Sequence, residues 1–156
     1  MNKTITIDYQ EYNSVAELPD ADAALLRCAI DATEGAYAPY SHFRVGAALR
    51  LADGTVVVGS NQENGAYPSG LCAERTAIFA ASAQHPQCRD YEALAIVGRD
   101  ASGRLCEAAP CGACRQVLSE YEEMQRHPLR ILCFLDAGGV RVLPSVAATL
   151  PFAFKF

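Results

Sequence analysis

Between Leu18 and Tyr37, the apolar residues Leu25, Leu26, Ala29, Ile30 and Ala36 return at the interval of a helix face. Asp20 to Asp22 place acids where that helix begins, and Gly35 with Pro39 marks its end. The period then changes. Phe43 to Leu51 and Thr55 to Val58 are β-rich runs separated by Asp53-Gly54, which predicts an antiparallel hairpin. Cys72 to Ala83 is rich in Ala and reads as a second helix, and Tyr91 to Gly98 (YEALAIVG) as a buried strand. Pro110 to Glu123 reads as a third helix, with the proline in its first turn and Val117, Leu118 and Tyr121 on one face. Arg130 to Leu135 is a fourth strand and Val140 to Leu143 a fifth. Only Asp136 to Gly139 separates them, too little for a parallel crossover, so the fourth and fifth strands are expected to be antiparallel. An amphipathic turn, Ser145 to Leu150, precedes the aromatic tail PFAFKF. The order α-β-β-α-β-α-β-β predicts an α/β fold, a three-layer α/β/α sandwich on a mixed five-stranded sheet.

No repeat, low-complexity tract or linker interrupts the 156 residues, so residues 1–156 are expected to form a single domain. Hydrophobic residues make up 51 % and charged residues 20 %, with mean hydropathy of +0.05, which supports a buried core and excludes disorder. Thirteen Lys plus Arg against eighteen Asp plus Glu leave a charge of -5, the wrong sign for a polynucleotide surface. The opening MNKTITIDYQEYNS has no apolar signal core, and nowhere do about eighteen apolar residues run together. No nucleic-acid or membrane partner is expected, and the chain reads as cytosolic. Seven cysteines in a reducing compartment favour free thiols or metal ligands over disulfides.

Two short segments carry the chemistry, Cys72-Ala73-Glu74 and Pro110-Cys111-Gly112-Ala113-Cys114, each at the predicted start of a helix. Catalytic zinc takes three protein ligands and keeps a fourth position for water, and Cys72, Cys111 and Cys114 supply that number. Helix N-termini favour thiolates there. Three thiolates over-neutralise the metal, and Arg75, three residues beyond Cys72, can offset that charge at a ligand sulfur. Glu74 sits too near Cys72 to be a comfortable ligand but can move protons beside the open position. A C-x-x-C alone serves equally in redox pairs and structural zinc knuckles. A structural site would need a fourth ligand, for which Cys88, Cys106, Cys133, His42, His85 and His127 are candidates.

The C-A-E followed by P-C-x-x-C matches the signature of zinc deaminases. With PYSHFRVGAAL (39 to 49), NQENGAYPSGLCAERTAI (61 to 78), PCGACRQVLSE (110 to 120) and LPFAF (150 to 154), the sequence resembles the small homotetrameric cytidine deaminases over most of its length. The resemblance implies zinc-dependent hydrolysis of cytidine and deoxycytidine to the uridines, as in pyrimidine salvage. Attack would fall at C4 of the ring; Glu74 would take the water proton, pass it to N3 and then protonate the departing ammonia. Asn61 and Glu63 match the family's ribose pair, with the carboxylate accepting from the 3'-hydroxyl. Phe43 matches an aromatic that packs on the pyrimidine; Gly65, Ala66 and Tyr67, with Ala73, match contacts to the base. Phe154 matches a phenylalanine that reaches into a neighbouring subunit's pocket, which implies a homotetramer. Gly65 departs from the alanine common in the family.

Among the remaining residues, Cys28 and Cys133 read as small buried hydrophobes, Cys88 and Cys106 as incidental loop thiols, and Tyr37, Tyr40 and Phe152 as plain core. His42 is left outside the site. Three other readings stay open: a blasticidin S deaminase-like enzyme, a structural zinc module that binds another protein, and a polynucleotide deaminase. The acidic charge and the antiparallel fourth and fifth strands oppose the last, since deaminases of RNA and DNA resemble one another in having that pair parallel.

Overall fold

A computed structural model describes residues 1–155; Phe156 of the aromatic tail lies outside the described residues. The main strands are β1 (Gln10–Tyr12), β2 (Arg44–Leu51), β3 (Val56–Ser60), β4 (Tyr91–Arg99), β5 (Leu105–Cys106), β6 (Arg130–Phe134) and β7 (Val140–Leu143); the helices are α1 (Asp20–Ala32), α2 (Ala73–Gln84) and α3 (Gly112–Gln125). They form one mixed sheet in the order β1-β7-β6-β4-β2-β3, with β5 pairing the end of β4. The sheet therefore has seven strands rather than the expected five. Both extra strands are too short to leave a periodic signal in sequence, since β1 is fixed by antiparallel pairing with β7 and β5 by pairing with Gly98 and Arg99. The β2–β3 hairpin is antiparallel, with Gly54 at φ 85 in its turn. β6 and β7 are also antiparallel, whereas β4 and β6 run parallel, connected through α3.

The strands alternate between two cores. Leu49, Leu94, Ile96, Ile131 and Cys133 face α2 and α3, whereas Ala48, Ala95, Val97, Leu132 and Phe134 face α1. Helices on both faces explain why β4 is nearly all apolar, and burying a side chain such as Leu94 or Ile96 contributes roughly 2 kcal/mol. On the α1 side, the buried Asp22 takes Arg130 on both carboxylate oxygens at 2.8 and 2.9 Å and Arg50 at 3.2 Å. Burial pushes this carboxyl up, but the Arg130 and Arg50 bonds and charges outweigh it and hold it below its ordinary value.

On the other side, Gly59 of β3 lets α2 come close: a Cβ there would lie 2.6 Å from the Ala73 carbonyl oxygen and 2.4 Å from the Ala77 nitrogen. Any side chain at this position would push back the start of α2, where the first of the candidate metal ligands stands. Tyr37, Tyr40 and Phe152, expected in the core, are instead 56 %, 54 % and 93 % exposed. The first two stand on an irregular segment between α1 and β2, which no sheet or helix face covers, and Phe152 follows the last turn at φ 57. Cys106, expected in a loop, is buried in β5.

Candidate active site

α2 and α3 lie on one face of the sheet and begin close together. Cys72 is the N-cap of α2 and Cys111 the N-cap of α3, both with extended backbone; Cys114 follows one turn into α3 and is buried. Pro110, expected in the first turn, thus precedes the cap and turns the chain into it. The sulfurs converge: Cys72 Sγ is 3.7 Å from Cys111 Sγ, Cys111 Sγ is 3.5 Å from Cys114 Sγ, and all three lie within 4.8 Å of one another. Tetrahedral zinc with Zn–S bonds of about 2.3 Å separates its sulfurs by about 3.8 Å, so the donor set fits one zinc. Among the described residues, none of the six candidate fourth ligands joins this cluster.

The surroundings are charged to match. Arg75 Nη2 stands 3.6 Å from Cys72 Sγ. The Cys114 sulfur and Arg75 hold Cys72 well below the ordinary thiol range against the effect of burial, and the same contact with Cys72 pushes Cys114 up. Its bond to Cys72 in turn raises Arg75 above its ordinary value, and Arg75 Nε is buried with no hydrogen-bond partner. Glu74 is 3 % exposed. Burial pushes its carboxyl up to about 7, opposed by its own backbone amide and assisted by the neighbouring Cys72 charge. A carboxyl poised there can both take and give a proton near neutral pH.

Beside the cluster opens a cleft of about 470 Å³ whose wall includes Cys72, Arg75, Asn61, Glu63, Tyr67 and Tyr40. The expected ribose pair and the metal cluster therefore share one cavity. Gly65 and Ala66 lie in the loop between Glu63 and Tyr67, where a Cβ at Gly65 would come 3.1 Å from the Tyr40 hydroxyl. Glycine here gives Tyr40 room to stand beside the cleft. Phe43 packs its ring edge over Gly98 and Cys106 at the end of β4, on the α2 and α3 side, and does not line the cleft. Ala73 is buried at the start of α2. Phe154 is 66 % exposed on the outside of α3, where its carbonyl accepts from Gln116 Nε2 at 3.4 Å and Lys155 pairs with Glu123 at 2.6 Å.

Residues 19–127 match the family model described as the cytidine and deoxycytidylate deaminase zinc-binding region. The chain belongs to this deaminase family. It is 49 % identical to a cytidine deaminase of Halalkalibacterium halodurans over 96 residues, 62 % of this chain and 68 % of that protein. It is 42 % identical to a cytidine deaminase of Mycobacterium tuberculosis over 117 residues, 72 % of this chain and 84 % of that protein. The crystal structure of cytidine deaminase from Burkholderia pseudomallei superposes with a TM-score of 0.72 at 44 % identity, covering 84 % of this chain and 97 % of that one.

The deaminase family membership places the zinc-binding region over Cys72, Cys111 and Cys114 together. Among the cleft residues missed in sequence are Tyr40 and Ser41. Their only signal was membership of the PYSHF segment just ahead of Phe43.

Proposed function

We propose that this chain deaminates cytidine and deoxycytidine hydrolytically, with Cys72, Cys111 and Cys114 holding one zinc and Glu74 moving the protons. The observation that carries this reading is the trio of sulfurs at zinc-like separations beside a buried carboxyl, at the edge of a cleft that also contains Glu63. Bound zinc supplies Lewis-acid activation of a water. Glu74 takes the proton of that water, places one on ring N3 and one on the departing amine; the water oxygen becomes the C4 carbonyl and ammonia leaves. Arg75 offsets the excess negative charge of three thiolates. Glu63 and Asn61 hold the ribose, and Tyr67 with the Gly65 and Ala66 loop supplies the base contacts; Phe43 and Ala73, which do not line the cleft, carry no base contact in this reading. A blasticidin S-type substrate is not favoured, because the relatives bear the cytidine name.

Among the described residues Arg75 is the one cation on the cleft wall and is engaged by Cys72, while Glu63 stands on the ribose side. Cytidine 5'-monophosphate is therefore expected to show a kcat/KM at least about 100-fold below that of cytidine, because a phosphate meets no free counter-charge. Parallel kinetics on cytidine, deoxycytidine and the monophosphate test the reading. No turnover of either nucleoside refutes it, and comparable values with the monophosphate refute the nucleoside preference.

The protein is further proposed to work as a cytoplasmic homotetramer, a compartment in which the thiols remain reduced. Among the described residues, Phe79, Met124 and Phe154 expose 40 %, 48 % and 66 % of their surface on α2, α3 and the tail, and a neighbouring subunit would cover them with Phe154 entering its site. Removing residues 151–156 should weaken assembly and raise KM together while leaving zinc in place. Sedimentation that finds a fully active monomer at micromolar concentration would overturn this proposal.

A further inference from the structure

Three groups hold the Glu63 carboxylate before any substrate arrives. Its Oε2 accepts from the backbone amides of Tyr40 at 2.9 Å and Ser41 at 3.3 Å, and its Oε1 accepts from the Ser41 hydroxyl. That hydroxyl bond is the leading reason the carboxyl lies below its ordinary value, ahead of an opposing desolvation and the two amides. The Ser41 oxygen also accepts the Phe43 N–H at 3.0 Å, and Asn61 Nδ2 donates to the Phe43 carbonyl at 2.9 Å. Asn61 Oδ1 meanwhile accepts from the Val45 amide at 2.7 Å. Ser41 and Asn61 thus pin the Phe43 backbone from either side, and one hydroxyl ties that segment to the acid.

A carboxylate offers about four lone-pair positions, so three internal bonds leave about one for a ligand. We infer that Ser41 is a positioning residue for sugar recognition, its hydroxyl turning Glu63 so that the remaining lone pair of the carboxylate meets a ribose hydroxyl. This inference rests on the reading of Glu63 as the ribose acceptor. Discrimination for the 3'-hydroxyl then depends on a side chain that touches neither base nor metal. Ser41 is exposed in the PYSHF turn, where truncation costs the core nothing.

The test compares kcat/KM for cytidine and 3'-deoxycytidine in the zinc-loaded wild type and in Ser41→Ala, Ser41→Thr and Glu63→Gln, with zinc content as the check of folding. Wild type should prefer cytidine, and Ser41→Ala should shrink that preference about tenfold, carried by KM, as expected for loss of a charge-assisted bond that orients an acceptor. Ser41→Thr, which keeps the hydroxyl, should restore most of it. In a Glu63→Gln background, adding Ser41→Ala should change the preference by less than about twofold, because the group it positions is already altered. An undiminished preference in Ser41→Ala, or an equal loss on both nucleosides, overturns the inference. Preference lost in Glu63→Gln but kept in Ser41→Ala overturns the Ser41 role alone. A wild type with no preference removes the Glu63 reading and this inference with it.

Discussion

Glu74→Gln is expected to keep its zinc and its fold and to lose about a thousandfold or more of cytidine turnover, the upper part of the range for a general acid/base. The amide fills the same buried space at the first turn of α2. It can accept or donate a hydrogen bond but cannot carry a proton from water to N3 and on to the leaving amine. The environment supports this division: burial pushes the carboxyl up to about 7, so both protonation states are populated at neutral pH. Steady-state kinetics beside elemental analysis check it. A zinc-replete Glu74→Gln protein that retains a tenth of wild-type turnover would move the proton transfers to another group.

Cys111→Ala is expected to lose zinc and activity together, from about one equivalent of metal per chain to nearly none, since two thiolates leave a tetrahedral site half open. Cys111 caps α3 and is the sulfur that bridges the other two, at 3.7 and 3.5 Å. The fold should survive, because both apolar clusters lie apart from this exposed residue. Cys88→Ala serves as the comparison and should keep its zinc. Elemental analysis of the two purified proteins decides; full zinc and full turnover in Cys111→Ala would refute the ligand set.

The metal cluster was legible because its information is local: C-A-E and P-C-x-x-C each sit at a helix start, and helix starts leave marks in sequence. The hairpin at Asp53-Gly54 and the antiparallel return through Gly138-Gly139 were legible for the same reason, as turns are set by neighbouring residues. What escaped depends on distant partners. β1 exists because β7 offers an edge to Gln10–Tyr12, and β5 because β4 extends past β6. Tyr40 looked like core by composition but stands exposed beside Gly65, at a distance set by the absence of one Cβ. Phe43 finds Gly98 and Cys106 only once the sheet is assembled. Ser41 was hidden because a serine in a turn has an ordinary local use, and only the fold brings Glu63 to its hydroxyl.

The most direct test is a titration of zinc into chelator-stripped wild-type protein, with the rate of cytidine absorbance loss followed at each addition. The rate should start near zero, rise in proportion to added metal and break sharply at about one zinc per chain. Deamination by the metal-free protein, or none after a full equivalent of zinc has bound, would contradict a three-cysteine zinc centre as the seat of the reaction.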